Sequence, residues 1–253
     1  LNWYDEPEWQ LKDCVNGLAL SCDRIVALDG AYKRFPNGKP KSPAAQVNAI
    51  RRAADKHKIE CLILQPDHLW EGQLEKRTYL MNIAAIGSDW IATVDADHII
   101  VRCDKEQLDE ELKELDFDCV DVTYYTPKNR KTKKTASGLW HRQQAGTTES
   151  LMHLFRALPQ IRLEHHHYWY SAIKDEKRVW MWTDPGNNKY PILPHYELQV
   201  EYRIEHRCLF REQKQILANR AFCGDRETIV KETGQEDHCD WIPIVHDYKR
   251  IPR

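Results

Sequence analysis

Residues 89 to 101 read Asp-Trp-Ile-Ala-Thr-Val-Asp-Ala-Asp-His-Ile-Ile-Val. The apolar run Trp90 to Val94 predicts a strand, and it ends in two carboxylates, Asp95 and Asp97. In an α/β protein the C-terminal ends of strands open onto the ligand crevice. Hard divalent cations take oxygen ligands, so this ending suggests a metal site beside a phosphorylated ligand. The motif alone is weak, because a chain of this size carries about one Asp-x-Asp pair by chance. Asp116-Phe117-Asp118 is a second one. It precedes a strand instead of closing one, and reads as solvated turn carboxylates.

Upstream of this stretch, strand and helix patterns alternate, as in a mostly parallel sheet covered by crossover helices. Leu1 to Tyr4 reads as the end of a first strand, and Pro7 opens a helix with Leu11, Val15 and Leu18 on one face. A strand Arg24 to Leu28 ends at Asp29-Gly30; a helix then carries Val47, Ile50 and Ala54, and Cys61 to Leu64 is the next strand. Gln73 to Ala85 forms the helix before Trp90, with Leu80, Ile83 and Ala84 as core. Downstream, Asp104 caps a helix with the stripe Leu108, Leu112, Leu115, and Cys119 to Tyr125 is a fifth strand.

Composition sets the outer limits. With 253 residues and 42% hydrophobic content the chain can bury a sizeable core. One continuous domain is expected, with an α/β half over residues 1–126 and a less regular mixed α/β half over 127–253. The net charge is −2 and the pI about 6.7, so the molecule as a whole is not built to attract polyanions. Eight dispersed cysteines without a C-x-x-C pair favour a reducing, cytoplasmic setting. No apolar stretch approaches the roughly 20 residues that span a bilayer, and the start is not signal-like. A few residues upstream of Leu1 are expected.

The order of these features resembles the GT-A glycosyltransferases, in particular their family-2-like branch, over residues 1–126. Four pieces carry the resemblance: Trp3-Tyr4-Asp5-Glu6-Pro7 opening the first helix, Asp23 to Gly30 ending a strand in Asp29, Gly72-Gln73 with Glu75-Lys76-Arg77 opening the helix before the metal strand, and Val94-Asp95-Ala96-Asp97. The strand ending Asp-Gly-Ala departs from the commoner Asp-Asp-Gly-Ser or Asp-Gly-Ser. The resemblance implies transfer of a sugar from a UDP-, GDP- or dTDP-linked donor to an acceptor hydroxyl, mostly with inversion. It implies Mn²⁺ or Mg²⁺ held by Asp97 with Asp95, neutralising the departing diphosphate. It places Tyr4, Asp5, Glu6, Asp29 and Asp95 at the nucleotide, and Lys76 or Arg77 at the sugar or phosphate. Capping of the first helix is an equal reading of Asp5 and Glu6, and a solvated helix face is nearly as good a reading of Lys76 and Arg77.

Enzymes of this type often complete the metal shell with a histidine from the C-terminal half, which singles out His206. A helix is expected over 206–222, with Arg207, Arg211 and Lys214 near one face, suited either to clamping a diphosphate or to lying in solvent. Inversion needs a carboxylate base; Asp184, Glu201 and Glu205 are candidates, and Asp184 in Trp-Thr-Asp-Pro-Gly is the first choice, though that sequence is also ordinary turn chemistry. His165-His166-His167 puts only two imidazoles on one strand face, short of a structural zinc set. His195 is a candidate on the acceptor side or a structural histidine. The segment 127–142 holds Lys128, Arg130, Lys131, Lys133, Lys134 and Arg142 without an acid, and reads as a lid, a polyanion contact or a solvated loop.

The expected activity is therefore a metal-dependent glycosyltransferase acting on a protein, a small metabolite or modified DNA. A nucleotidyltransferase acting on a sugar phosphate is the alternative enzyme, although Trp3 to Pro7 lacks the glycine-rich basic loop that such enzymes carry. A non-catalytic polyanion-binding module is the third reading.

Overall fold

The computed structural model describes residues 1–33, 35, 38–125, 148–164, 170–181 and 189–207, with the side chains of 123–125, 148–152 and 206 left out of the description. The basic segment 127–142, His165 to His167, Asp184, Arg211, Lys214 and the expected helix beyond Arg207 lie outside the described residues.

The elements of the first half form where apolar periodicity places them. Helix α1 (Glu8–Leu18) starts after Pro7 and buries Leu11, Val15 and Leu18. Strand β1 (Arg24–Leu28) is followed by α2 (Ala44–His57), β2 (Glu60–Leu64) and α3 (Gln73–Ala85). Strand β3 (Trp90–Ala92) leads to the aspartates. Helix α4 (Lys105–Glu114) is capped by Asp104, whose carboxylate accepts the Gln107 amide at 3.2 Å. Strand β5 (Cys119–Tyr125) follows. Gly17 of α1 sits against β4 (His98–Cys103), where a Cβ would meet the Ile100 carbonyl oxygen at 2.6 Å, so only glycine permits this close approach.

The architecture is α/β with small mixed sheets, not one mostly parallel sheet. β1 and β2 pair in parallel. A six-stranded sheet runs in the order β3, β6 (Thr148–Arg156), β5, β11 (Tyr202–His206), β4, with β10 (His195–Glu197) also on β5. In it β6 is antiparallel to both neighbours and β11 is antiparallel to β4. The third sheet is an antiparallel meander of β7 (Arg162–Leu163), β8 (Tyr170–Lys174) and β9 (Lys177–Trp180). Strands from both halves of the sequence alternate in the six-stranded sheet. The Leu1–Tyr4 segment contributes only Asn2, which bridges Leu28 on one side and Asp95 on the other, both in parallel.

Two elements depart from the periodicity. The apolar residues after Asp97 are a separate strand, because the chain turns at Asp95 to Asp97, with the His98 amide donating to the Asp95 carbonyl at 2.9 Å, and returns as β4. The alternation Leu198, Val200, Tyr202, Ile204 yields a strand only from Tyr202. Glu111 on α4 accepts the Gln199 and Val200 amides at 2.8 and 3.0 Å, withdrawing them from the ladder.

The main core joins α1, α2 and α4 to the sheets through Trp3, Leu11, Val15, Ile50, Leu108 and Ile204. Asp118 is not a solvated turn residue: it is 5% exposed, with Lys174 at 2.5 Å and Arg156 at 3.3 Å. Two cations there offset the cost of burying the carboxylate. The described cysteines Cys14, Cys22, Cys61, Cys103 and Cys119 are free thiols. No helix among the described residues is long and apolar enough to cross a membrane.

Candidate functional site

Three parallel-running segments end side by side: Asn2 leads to Tyr4 and Asp5, β1 to Asp29, and β3 to Asp95. Tertiary pairing thus gathers most of the expected donor-side residues at one rim.

Asp29 is fully buried, and its two oxygens accept four hydrogen bonds, from the Gly30 amide (2.6 Å), the Ser42 amide (2.7 Å), the Ser42 hydroxyl (2.6 Å) and Gln65 Nε2 (2.8 Å). A carboxylate so occupied shapes the site through the loop it anchors instead of touching a nucleoside, as the sequence resemblance implied. Gly30 has φ +110°, and a Cβ there would meet the Pro40 carbonyl oxygen at 2.8 Å and Trp70 Nε1 at 2.9 Å, so the Asp-Gly step requires its glycine.

Ser42 links this anchor to the first turn, its hydroxyl accepting the Asp5 amide at 2.9 Å. Asp5 lies at φ +47°, a conformation that costs free energy in a non-glycine residue and is held here by its surroundings. Gln46 Nε2 donates to Asp5 Oδ1 at 3.1 Å, and Gln10 Nε2 to Glu6 Oε2 at 3.2 Å. The N-cap of α1 is Pro7, which has no side-chain bond. The Tyr4 hydroxyl accepts the Lys39 amide at 2.8 Å.

Lys76 and Arg77 are 1% and 5% exposed, so they are not charges on a solvated helix face. Lys76 Nζ donates to the carbonyls of Trp3 (2.8 Å) and Gly30 (2.7 Å), tying two strand ends together. Burial pushes its pKa down to about 7 despite nearby Asp29 and Asp95. Arg77 donates through Nη2 to both oxygens of Asp95 at 2.7 and 2.5 Å. Asn2 Nδ2 adds a bond to Asp95 Oδ1 at 3.1 Å. Burial works to raise the pKa of Asp95, but Arg77 outweighs it and holds the carboxyl well below the usual carboxylate range. With its charge already matched by arginine, Asp95 fits a positioning role better than the metal-ligand role implied by the motif.

Asp97 is 3% exposed and stands on the far side of the turn, with His98 Nε2 4.0 Å from its Oδ1. The Arg207 amide donates to the Asp97 carbonyl at 2.7 Å. His206 is the last residue of β11 and pairs with His98 across the ladder, so it ends a strand and does not open a helix. Asp97 and His206, distant in sequence, are neighbours in the fold. Arg207 is not free to clamp a phosphate: its guanidinium bonds Asp13 at 3.0 Å and Glu205 at 3.2 Å. The base candidates Glu205 and Glu201 are ion-paired with Arg207 and Arg102. His195 stands 3.7 Å from Asp121.

Sequence reasoning missed Asn2, Ser42 and Gln65, whose pairing depends on the tertiary fold. Ser42 and Gln65 each sit beside an element boundary, the only local signal they give. Tyr170 is buried against Arg77. Behind the turn, His153 of β6 is 1% exposed, and burial lowers its pKa to about 3, which keeps the imidazole neutral. Among the described residues no cluster of three or more histidine, cysteine or acidic side chains forms a complete cation cage.

No family model matches this chain, and neither a curated protein nor a solved structure matches it.

Proposed function

We propose that the chain is a metal-dependent glycosyltransferase of the GT-A type, moving a sugar from a nucleotide-diphosphate sugar to an acceptor hydroxyl with inversion. The observation that carries this reading is the placement of Asp97 beside His206 through the β4–β11 register and the Arg207 amide bond, across the turn that begins at Asp95. The two parallel bridges of Asn2 support it further, since they order β2, β1, the Asn2 segment and β3 side by side.

Asp97 and His206 are the residues that would hold the cation, Mn²⁺ or Mg²⁺. Asp97 would supply an oxygen and His206 a nitrogen to such an ion. A cation there supplies charge neutralisation for the departing diphosphate. Arg77 and Asn2 fix Asp95 at the rim, where its carboxylate remains ionised. Lys76 and Asp29 hold the strand ends and the Gly30 to Ser42 loop in a single geometry, so little reorganisation accompanies donor binding. In the transfer the bond from the anomeric carbon to the diphosphate oxygen breaks, the acceptor oxygen bonds that carbon from the opposite face, and a carboxylate takes the acceptor proton. For that base we retain Asp184. A reducing cytoplasm suits an enzyme whose described cysteines are free thiols.

The test is incubation with UDP-, GDP- and dTDP-sugars and Mn²⁺ or Mg²⁺, following release of nucleoside diphosphate. Slow metal-dependent release from one donor, lost in Asp97→Asn, is expected. Release of pyrophosphate from a nucleoside triphosphate and a sugar phosphate would instead support a nucleotidyltransferase. No turnover of any donor, with retained binding to a polyanion, would leave only the binding module.

A further inference from the structure

Strand β2, Glu60-Cys61-Leu62-Ile63-Leu64, pairs with β1 on one side, and among the described residues no strand covers its other edge. β1 buries four of its five residues, whereas every residue of β2 keeps contact with solvent. The Asp29 amide donates to the Leu64 carbonyl at 3.0 Å. Strand backbones alternate the side on which they bond, so Glu60, Leu62 and Leu64 bond toward β1, and the N–H and C=O groups of Cys61 and Ile63 point outward. An open edge is a template for pairing, which proteins blunt with lysine, proline, a bulge or a very short strand. The third sheet does so, with Lys177 at the start of β9 and only two residues in β7. β2 has none of these devices, and its register with β1 is unbroken.

Large apolar side chains flank this edge. Leu62 is 42% exposed, and Tyr79 and Ile86, on and just after α3, are 44% and 65% exposed. Both lie at helical spacing from Ile83, which packs with Leu64 and Trp70, so this side of α3 faces β2. Arg51 and Asp55, exposed one turn apart on α2, are within electrostatic reach of Cys61.

We propose that the outer edge of β2 is the interface of a two-fold dimer of this chain. Antiparallel pairing centred on Leu62 sets it against the partner's Leu62 and joins Cys61 to the partner's Ile63 by reciprocal backbone hydrogen bonds. The pairing is self-complementary because the outward groups belong to residues placed symmetrically about Leu62. Glu60 falls at the end of the paired stretch, where its carboxylate reaches water. The same rotation makes the two α2 helices antiparallel, turning Arg51 toward the partner's Asp55 and Asp55 toward the partner's Arg51. A second copy therefore matches the edge in hydrogen bonding, apolar surface and charge. A partner of a single charge sign would oppose either Arg51 or Asp55. Gln65, which follows β2, donates to Asp29, so pairing at this edge steadies the strand end that anchors the rim. The inference does not depend on the proposed activity.

Sedimentation velocity over a concentration series, with amide exchange, tests it. The wild type is expected to form a dimer that dissociates on dilution. The Cys61 and Ile63 amides should exchange more slowly as concentration rises, and the Leu62 amide, directed at β1, should change much less. Leu62→Lys sets like charges opposite each other and is expected to abolish the dimer with circular dichroism retained. Ile192→Lys, at a position of similar exposure outside this edge, leaves it intact. Leu62→Cys creates a non-hydrogen-bonded pair of thiols whose Cα spacing of about 4.5 Å suits a disulfide. Mild oxidation is expected to link that variant into a covalent dimer and to leave the wild type, with its own cysteines, unlinked. A wild type that is monomeric at every concentration, a dimer that survives Leu62→Lys, equal loss in Ile192→Lys, or no covalent dimer from Leu62→Cys would each overturn the proposal.

Discussion

Arg77 covers both oxygens of Asp95 while only 5% of its own surface meets solvent. Removing one member of such a buried pair leaves an uncompensated charge, so Arg77→Met is expected to lower stability by about 3–5 kcal/mol in urea titration. Asp95→Leu combined with Arg77→Met recovers most of that loss if the pair serves folding alone. The folded-state pKa of Asp95 lies below its unfolded value. Its stabilising contribution is therefore fully present above the unfolded value of about 4 and is lost as pH falls toward the lower folded value. Lys76 has the opposite character. Its pKa is down to about 7 in the fold and about 10.4 when unfolded, so between those values the unfolded chain binds the extra proton and stability rises with pH. Urea midpoints measured from pH 7 to 9 should climb for the wild type, and the slope should flatten in Lys76→Met. At this scale the sequence singled out residues that the fold gathers more readily than it showed what each contacts. Asp95 and Asp97 look alike in Asp-Ala-Asp, and only a contact 18 residues away in sequence gives Asp95 its arginine. Asp29 likewise reads as a ligand contact until Ser42 and Gln65 fold onto it.

Among the elements, those with strong local periodicity were legible. α3 spans Gln73–Ala85 and β5 spans Cys119–Tyr125, as the sequence predicts. What escaped the sequence was set by distant groups: β4 became a strand because β11 pairs with it, and the apolar alternation from Leu198 gives a strand only from Tyr202 because Glu111 captures two amides. Glu111→Ala removes that acceptor, with an expected cost of about 1–3 kcal/mol in thermal or urea unfolding. The adjoining cap gives a calibrated comparison, since Asp104→Ala should cost about 1 kcal/mol. A Glu111 effect no larger than that of a surface substitution would mean that α4 does not fix the entry to β11.

On the scale of the whole molecule, the sheet order brings Asp97 to His206 across about 109 residues of sequence. The Asp-x-Asp motif singles out Asp97 and the family resemblance singles out His206, but their adjacency depends on the antiparallel pairing of β4 with β11, which no short-range signal encodes. The central claim is that this adjacency makes a cation-dependent nucleotide site. Calorimetric titration of UDP, GDP, dTDP and CDP, with and without Mn²⁺, into the wild type and Asp97→Ala tests it most directly. The account predicts that one nucleotide binds only with Mn²⁺ and that Asp97→Ala, still folded by circular dichroism, loses this binding. Binding of none, or binding indifferent both to Mn²⁺ and to Asp97→Ala, would contradict it.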